Sequence, residues 1–245
     1  MKFDVLTLFP EMFENAFNYS ILKRAAESGL ISLNVVNPRD YTHDKHKKVD
    51  DTPFGGGAGM VLMCQPFIDA YFALDFNCDY ETVILSPQGE KFNHKIAKEL
   101  SKKEKVVFIC GHYEGFDERI KEITGARELS VGDFVLTGGE YPALCMIDAI
   151  SRLIPDVLGD ETSSVSDSHS DGLLEYPQYT KPRDYMDKTV PDVLLSGNHQ
   201  EIEKWRRLQQ FIITNKKRPD LFKKFLETEL SPADKKLLKE NKHLF

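Results

Sequence analysis

Up to about Pro155 the chain alternates short runs rich in β-branched and aromatic residues with stretches of helical period, and this alternation constrains the fold most. FDVLTLF, LISLNVV, ETVILS and KVVFIC predict strands, while residues 20–28, 65–74, 93–102 and 140–153 predict helices. Strands taken in turn with helices point to an α/β domain around a mostly parallel sheet. The periodicity then stops. GDETSSVSDSHSDG, residues 159–172, holds five serines and four acidic residues with almost nothing apolar, and reads as a flexible interdomain linker. Beyond it, LLEYPQYTKPRDY predicts irregular but packed chain, and three helical stretches follow at 199–214, 221–230 and from Ser231-Pro232 onward. The expected organisation is an α/β domain over 1–158, a linker over 159–172 and a small helical domain over 173–245.

With 41% hydrophobic and 29% charged residues, the chain can bury a core, which excludes a largely disordered protein. Its first residues lack the pattern of a signal peptide, and no window approaches the ~20 apolar residues that cross a bilayer, so a cytoplasmic location is expected. Cys64, Cys78, Cys110 and Cys145 are widely spaced, with no C-x-x-C pair; they predict neither a zinc site nor a disulfide framework and read as mostly buried thiols.

The net charge of −7 is unevenly spread. Residues 204–245 hold twelve Lys or Arg against five Asp or Glu, a local +7 that leaves −14 on the remainder. A basic carboxyl-terminal end can follow a phosphate backbone, although a solvated helical surface has the same composition.

Three glycine-bearing segments sit where predicted strands end: LSPQG (85–89), CGHYEG (110–115) and SVGDFVLTGG (130–139). Loops at the carboxyl ends of strands are the usual ligand position in open α/β sheets, and glycine permits close approach to the backbone. Three ordinary turns would read the same way. PFGGGAGM lacks the Lys and Ser or Thr of a P-loop, so a phosphate-cradling NTPase is disfavoured and the segment reads as a turn or a close backbone contact. Asp50, Asp51, Glu114, Asp117, Glu118 and Asp133 read as capping or surface carboxylates. Asp167 differs, because it lies in the polar linker beside Ser168 and His169, and loops that close over substrates often carry catalytic groups. These neighbours do not form a hydrolase triad, since adjacent residues rarely converge and the serine lacks a G-x-S-x-G turn. Arg152, ending a largely apolar helix, serves equally as a helix-terminal cation or an anion stabiliser.

Taken in order, LFPEMF, DDTPFGGGAGM, LSPQG, GHYEGFDER, SVGDFVLTGGE, DAISRLIPDVLG, DSHSDGLLEYPQYTKP and VLLSGNHQEIEKWR resemble the bacterial tRNA (guanine-37-N1)-methyltransferases, from near the first residue to beyond Arg206. That family belongs to the SPOUT class, so the resemblance implies an α/β domain with a deep trefoil knot, a homodimer, and S-adenosylmethionine as cofactor. It places the cofactor against Leu85, Ser86, Pro87 and Gly89, then Gly111, Tyr113 and Glu114. The third set is Ser130, Val131, Gly132, Asp133, Phe134, Val135, Leu136, Gly138, Gly139 and Pro142.

The family's general base falls on Asp167 and its helper arginine on Arg152. The resemblance also makes the helical end the grip on the tRNA anticodon arm. Ser168, Tyr179, Lys181, Arg183, Ser196, Asn198, His199 and Arg206 are its candidate substrate contacts, with Lys204, Arg207, Lys216, Lys217 and Arg218 as further phosphate partners. Trp205 reads as a core residue of the small domain. Gln178 and His169 depart from the family pattern, which has a histidine and commonly an aromatic residue at those places. No metal ligands are proposed. Two other readings stay open: a SPOUT enzyme acting on a different RNA position, and a non-catalytic RNA-binding module.

Overall fold

A computed structural model of the chain describes residues 1–159 and 167–245. Two compact units are present, Met1–Asp160 and Glu161–Phe245. The expected linker falls outside the described residues for its 160–166 portion, whereas 167–172 belong to the second unit.

The first unit is built on five parallel strands that lie across the sheet in the order 32–36, 2–6, 105–109, 80–91 and 127–130. These are β1 (Lys2–Leu6), β2 (Ser32–Val36), β5 (Tyr80–Lys91), β6 (Lys105–Ile109) and β7 (Arg127–Ser130). Between them run α1 (Glu11–Ala16), α2 (Ser20–Glu27), α3 (Cys64–Phe72), α4 (His94–Leu100), α5 (Arg119–Thr124) and α6 (Glu140–Ser151). A short antiparallel pair, β3 (Asp50–Asp51) with β4 (Val61–Leu62), frames the glycine-rich 53–60 segment.

Helices cover both faces of the sheet, so its middle strands are apolar throughout. All five residues of β6 are buried. Phe3, Val5, Val83, Val106 and Phe108 point to one side with Phe13, Ala25, Ala97 and Ile147 from α1, α2, α4 and α6. Leu6, Ile84, Val107 and Ile109 point to the other with Phe67, Ala70 and Ile120 from α3 and α5. Polar exceptions are buried Thr82, hydrogen-bonded to the Tyr71 hydroxyl at 2.9 Å, and a buried ion pair, Lys105 Nζ to Asp4 Oδ2 at 3.1 Å, toward the amino end of these strands. Asp4 Oδ1 also accepts from Asn34 Nδ2 at 2.7 Å.

Several expectations need correction. The strand predicted to run to Phe9 ends at Leu6: Thr7 N still donates to Val36 O at 3.1 Å, after which the Thr7 hydroxyl accepts from Phe9 N at 3.0 Å and turns the chain out of the ladder. Helices α1 and α5 and strand β7 are absent from the sequence reading; each spans only four to six residues, too short for periodicity to register. Of the cysteines, Cys110 alone is buried; Cys145 is exposed and Cys64 and Cys78 are intermediate.

From Asp167 the second unit runs as irregular chain to Pro182, then a hairpin of β8 (Asp184–Tyr185) with β9 (Lys188–Thr189) and a 3₁₀ turn at Asp192–Leu195. Helices α7 (His199–Lys217), α8 (Pro219–Leu226) and α9 (Pro232–Glu240) follow. Their boundaries follow from capping chemistry. Asn198 accepts from Glu201 N at 3.3 Å to start α7, and Ser231 accepts from Asp234 N at 3.0 Å to start α9. Prolines at the first turns of α8 and α9 need no helical N–H partner there. The apolar core is small: Leu173, Phe211, Phe222 and Phe225, with Phe245 stacked on Phe222.

Candidate active site

Between the carboxyl ends of β5, β6 and β7 lies a cavity of about 350 Å³, within the ~300–1,000 Å³ that small-molecule sites occupy. Its first wall is an interruption in β5. Leu85 and Glu90 both pair with Leu129 of β7, so Ser86, Pro87, Gln88 and Gly89 leave the ladder as an excursion. Pro87 cannot donate to a ladder, and the Ser86 hydroxyl accepts from Gln88 N at 3.1 Å to close the turn. A Cβ on Gly89 would sit 2.6 Å from the Glu128 carbonyl carbon, so the return to the strand requires glycine.

The second wall is the segment after β6. Glu114 donates its N–H to Met60 O at 3.0 Å and Leu62 donates to Gly115 O at 2.9 Å, which ties this loop to β4 and to the glycine-rich segment beside it. Phe116 seats against Phe67 edge-on at 5.5 Å, anchoring the loop in the core. The third wall runs from Ser130 to α6. Ser130 Oγ donates to Gly132 O at 2.9 Å and accepts from Gly132 N at 3.2 Å, folding the segment back on itself.

The walls meet where Gly139 donates its N–H to Gly111 O at 2.8 Å. A Cβ at Gly139 would lie 2.8 Å from the Cys110 Cα, so these two backbones touch with no room for a side chain. Behind the contact, buried Glu140 accepts from Thr7 Oγ1 at 2.8 Å and stands 4.0 Å from His112 Nδ1. Burial, and next the Glu140 carboxylate, push the Cys110 thiol well above its ordinary pKa, which makes it a packing residue with little thiolate character.

Of the residues expected at the cofactor, Leu85, Ser86, Pro87, Gly111, Tyr113, Glu114, Ser130, Val131, Phe134, Val135, Leu136, Gly138, Gly139 and Pro142 line this cavity. Gly89, Gly132 and Asp133 do not; the two glycines shape its loops, and Asp133 reaches outward to Lys91 Nζ at 3.3 Å. The sequence reading missed His112, Phe116, Glu118, Lys121, Glu128 and Thr137, which also line the space. The signal for His112 and Thr137 was adjacency to the glycine motifs; none marked Lys121 or Glu128. Among the described residues no cluster of His, Cys, Asp or Glu is arranged to hold a metal ion. No described helix is long and apolar enough to cross a membrane.

Arg152 caps the carboxyl end of α6, half-buried, its N–H donating to Asp148 O at 3.1 Å. Asp167 opens a turn of the second unit, in which Ser170 N donates to Asp167 O at 3.2 Å and Ser168 Oγ accepts from Glu175 N at 2.9 Å.

Further along the second unit, Tyr179, Lys181, Arg183, Ser196, Asn198 and His199 are all exposed. Arg183 pairs with Asp192 at 3.0 Å, and Ser196 Oγ donates to Val193 O at 2.8 Å. Arg206 pairs with Glu203 at 2.7 Å and covers the Tyr176 ring at 4.9 Å. Trp205, expected in the core, is only half-buried and leans on Tyr179 at 6.4 Å. Arg207, expected on phosphate, turns inward instead to Asp234 and Asp171.

Residues 1–224 match the family model described as tRNA (Guanine-1)-methyltransferase TrmD. A tRNA (guanine-N(1)-)-methyltransferase of Staphylococcus aureus (strain Newman) is 55% identical over 242 residues, spanning 99% of this chain and 98% of that relative. One from Staphylococcus epidermidis (strain ATCC 12228 / FDA PCI 1200) is 55% identical over 229 residues, 94% of each chain.

Proposed function

The chain belongs to the tRNA (guanine-1)-methyltransferase family, and on that premise we propose that it methylates N1 of guanosine 37 in tRNA from S-adenosylmethionine, with Asp167 as general base. The observation that carries this reading is the cavity at the ends of β5, β6 and β7, built from the loops that the family motifs occupy. Its size suits a nucleoside-sized ligand. Its main-chain donors and acceptors suit the edge of an adenine, and Leu85, Val131, Leu136 and Pro142 supply apolar surface for a ring.

When bound, S-adenosylmethionine supplies a methyl group made electrophilic by a positively charged sulfur. Guanine N1 carries a proton at neutral pH and has no free lone pair. Asp167 accepts that proton as the N1–carbon bond forms, an effect typically worth about 10²–10⁴-fold. Where proton removal runs ahead of bond formation, negative charge builds transiently toward O6, where the Arg152 guanidinium would balance it. That charge is cancelled as the sulfur–methyl bond breaks and the methyl group reaches N1, leaving a neutral base and a neutral thioether.

The knot that the family implies would account for the close passage of Gly139 over Gly111. Of the residues lining the cavity, Phe134, Val135 and Leu136 are 55%, 82% and 42% exposed, and Tyr141 in the first turn of α6 is 58% exposed. Grouped apolar surface of this kind supports a homodimer, whose second copy would cover it. The exposed Lys181, Arg183 and Tyr179 support a grip on the anticodon arm by charge and stacking. A cytoplasmic location fits a tRNA substrate.

Incubating the protein with a tRNA transcript and methyl-labelled S-adenosylmethionine, then mapping nuclease fragments by mass spectrometry, tests this. One added methyl on guanosine 37, absent from a transcript with adenosine there, is the expected result. Label at another position would assign a different RNA target, and no label would sink the reading.

A further inference from the structure

The turn carrying Asp167 is fastened to the interior of the helical unit. His169 N donates to Leu173 O at 2.7 Å, and the Leu173 side chain is 1% exposed among Phe211, Phe222 and Phe225. Leu174 N donates to Thr214 Oγ1 of α7 at 2.8 Å. A further fastening is ionic: the Asp171 carboxylate accepts from Arg207 Nη1.

That guanidinium is itself immobilised. Its Nε and Nη2 donate to the two oxygens of Asp234 at 2.8 and 3.0 Å, and Nη1 also donates to Gln210 Oε1 at 2.9 Å. Its plane lies over Phe211 and Phe225 at 5.1 and 5.4 Å. A planar fork held on a bidentate carboxylate and two rings has one orientation. It therefore works as a fixed post.

We propose that Arg207 is a positioning residue for the methyl transfer, holding Asp171 so that the turn beginning four residues earlier presents Asp167 in one orientation. This rests on the assignment of Asp167 as the base. Chain closure across 167–170 leaves few torsions between the two aspartates, so the grip on one limits the wander of the other. A displacement of about 1 Å in a reacting group can cost around a hundredfold in rate.

Folding does not need this third partner. The Arg207–Asp234 pair already joins α7 to α9, while the Asp171 side chain is 40% exposed, where an ion pair adds little stability. The function of the contact is thus separable from the stability of the unit.

Asp171→Ala tests the proposal, with Asp171→Asn as the conservative variant, both made in full-length protein and checked for melting temperature. With kcat measured on a tRNA transcript and S-adenosylmethionine, Ala should lower kcat by about ten- to a hundredfold. KM for both substrates should stay within about twofold, and Asn, still an acceptor, should recover part of the loss. In an Asp167→Asn background the Ala substitution should cost nothing further, since the group it positions is gone. A kcat within about twofold of the parent, a loss confined to KM, or an equal loss in both backgrounds would each overturn the proposal. Normal turnover by Asp167→Asn alone would remove the base assignment; a crippled Asp167→Asn beside a normal Asp171→Ala would remove only the positioning role.

Discussion

Gly139 and Gly111 are joined by a 2.8 Å hydrogen bond between backbones, so that the amino end of α6 rests directly on the loop after β6. Two walls of the cavity are therefore one object. A change at either glycine reaches both.

Gly139→Ala would place a methyl group 2.8 Å from the Cys110 Cα and 2.9 Å from Gly111 N, and neither backbone can yield. The expected outcome is a loss of about 1–3 kcal/mol of stability, with cofactor binding weakened further than the loss of folded protein explains. Thermal melting with and without S-adenosylmethionine measures both. An unchanged ligand-induced rise in melting temperature would show that the walls are independent.

The Asp4–Lys105 pair lies at the opposite end of the sheet from the cavity. Lys105→Met would remove the buried cation of the Asp4 carboxylate and leave it facing the partly exposed Lys2 at 3.3 Å, at a cost of up to about 3–5 kcal/mol. Adding Asp4→Asn should recover much of that. Urea unfolding of the single and double variants checks it, and equal midpoints would contradict the ion-pair account.

Hydrogen bonding from Arg207 holds the Asp234 carboxyl below its ordinary value of 3.8. A depressed folded-state value means stability that is full above the unfolded pKa and lost as pH falls through the folded one. The helical unit should thus lose stability as pH drops below about 4, and Asp234→Asn should flatten that slope. Melting temperatures followed from pH 6 to 3 would show it; parallel curves for the two proteins would refute it.

Much of the α/β unit was legible because burial on both sheet faces forces long apolar runs, as in KVVFIC. A start signal marked the last helix, where Ser231 followed by Pro232 leaves a chemical signature, whereas the cap that Asn198 forms on α7 was not read from the sequence. Short elements escaped: β7 is defined by pairing with β5 and not by its own pattern. In the cavity, the glycine motifs were visible, but their reason was not. Gly139 and Gly89 serve chain-to-chain contact, which depends on residues far away in sequence. Arg207 was misread because an arginine within the basic carboxyl-terminal stretch looks like a phosphate contact until Asp171 and Asp234 arrive from elsewhere in the sequence.

The most direct measurement is the single-turnover rate of methyl transfer to tRNA by Asp167→Asn beside the parent protein, with S-adenosylmethionine affinity measured on both. A carboxylate that takes the N1 proton predicts a rate lower by about 10²–10⁴-fold at unchanged cofactor affinity. A rate within about twofold of the parent would contradict the mechanism.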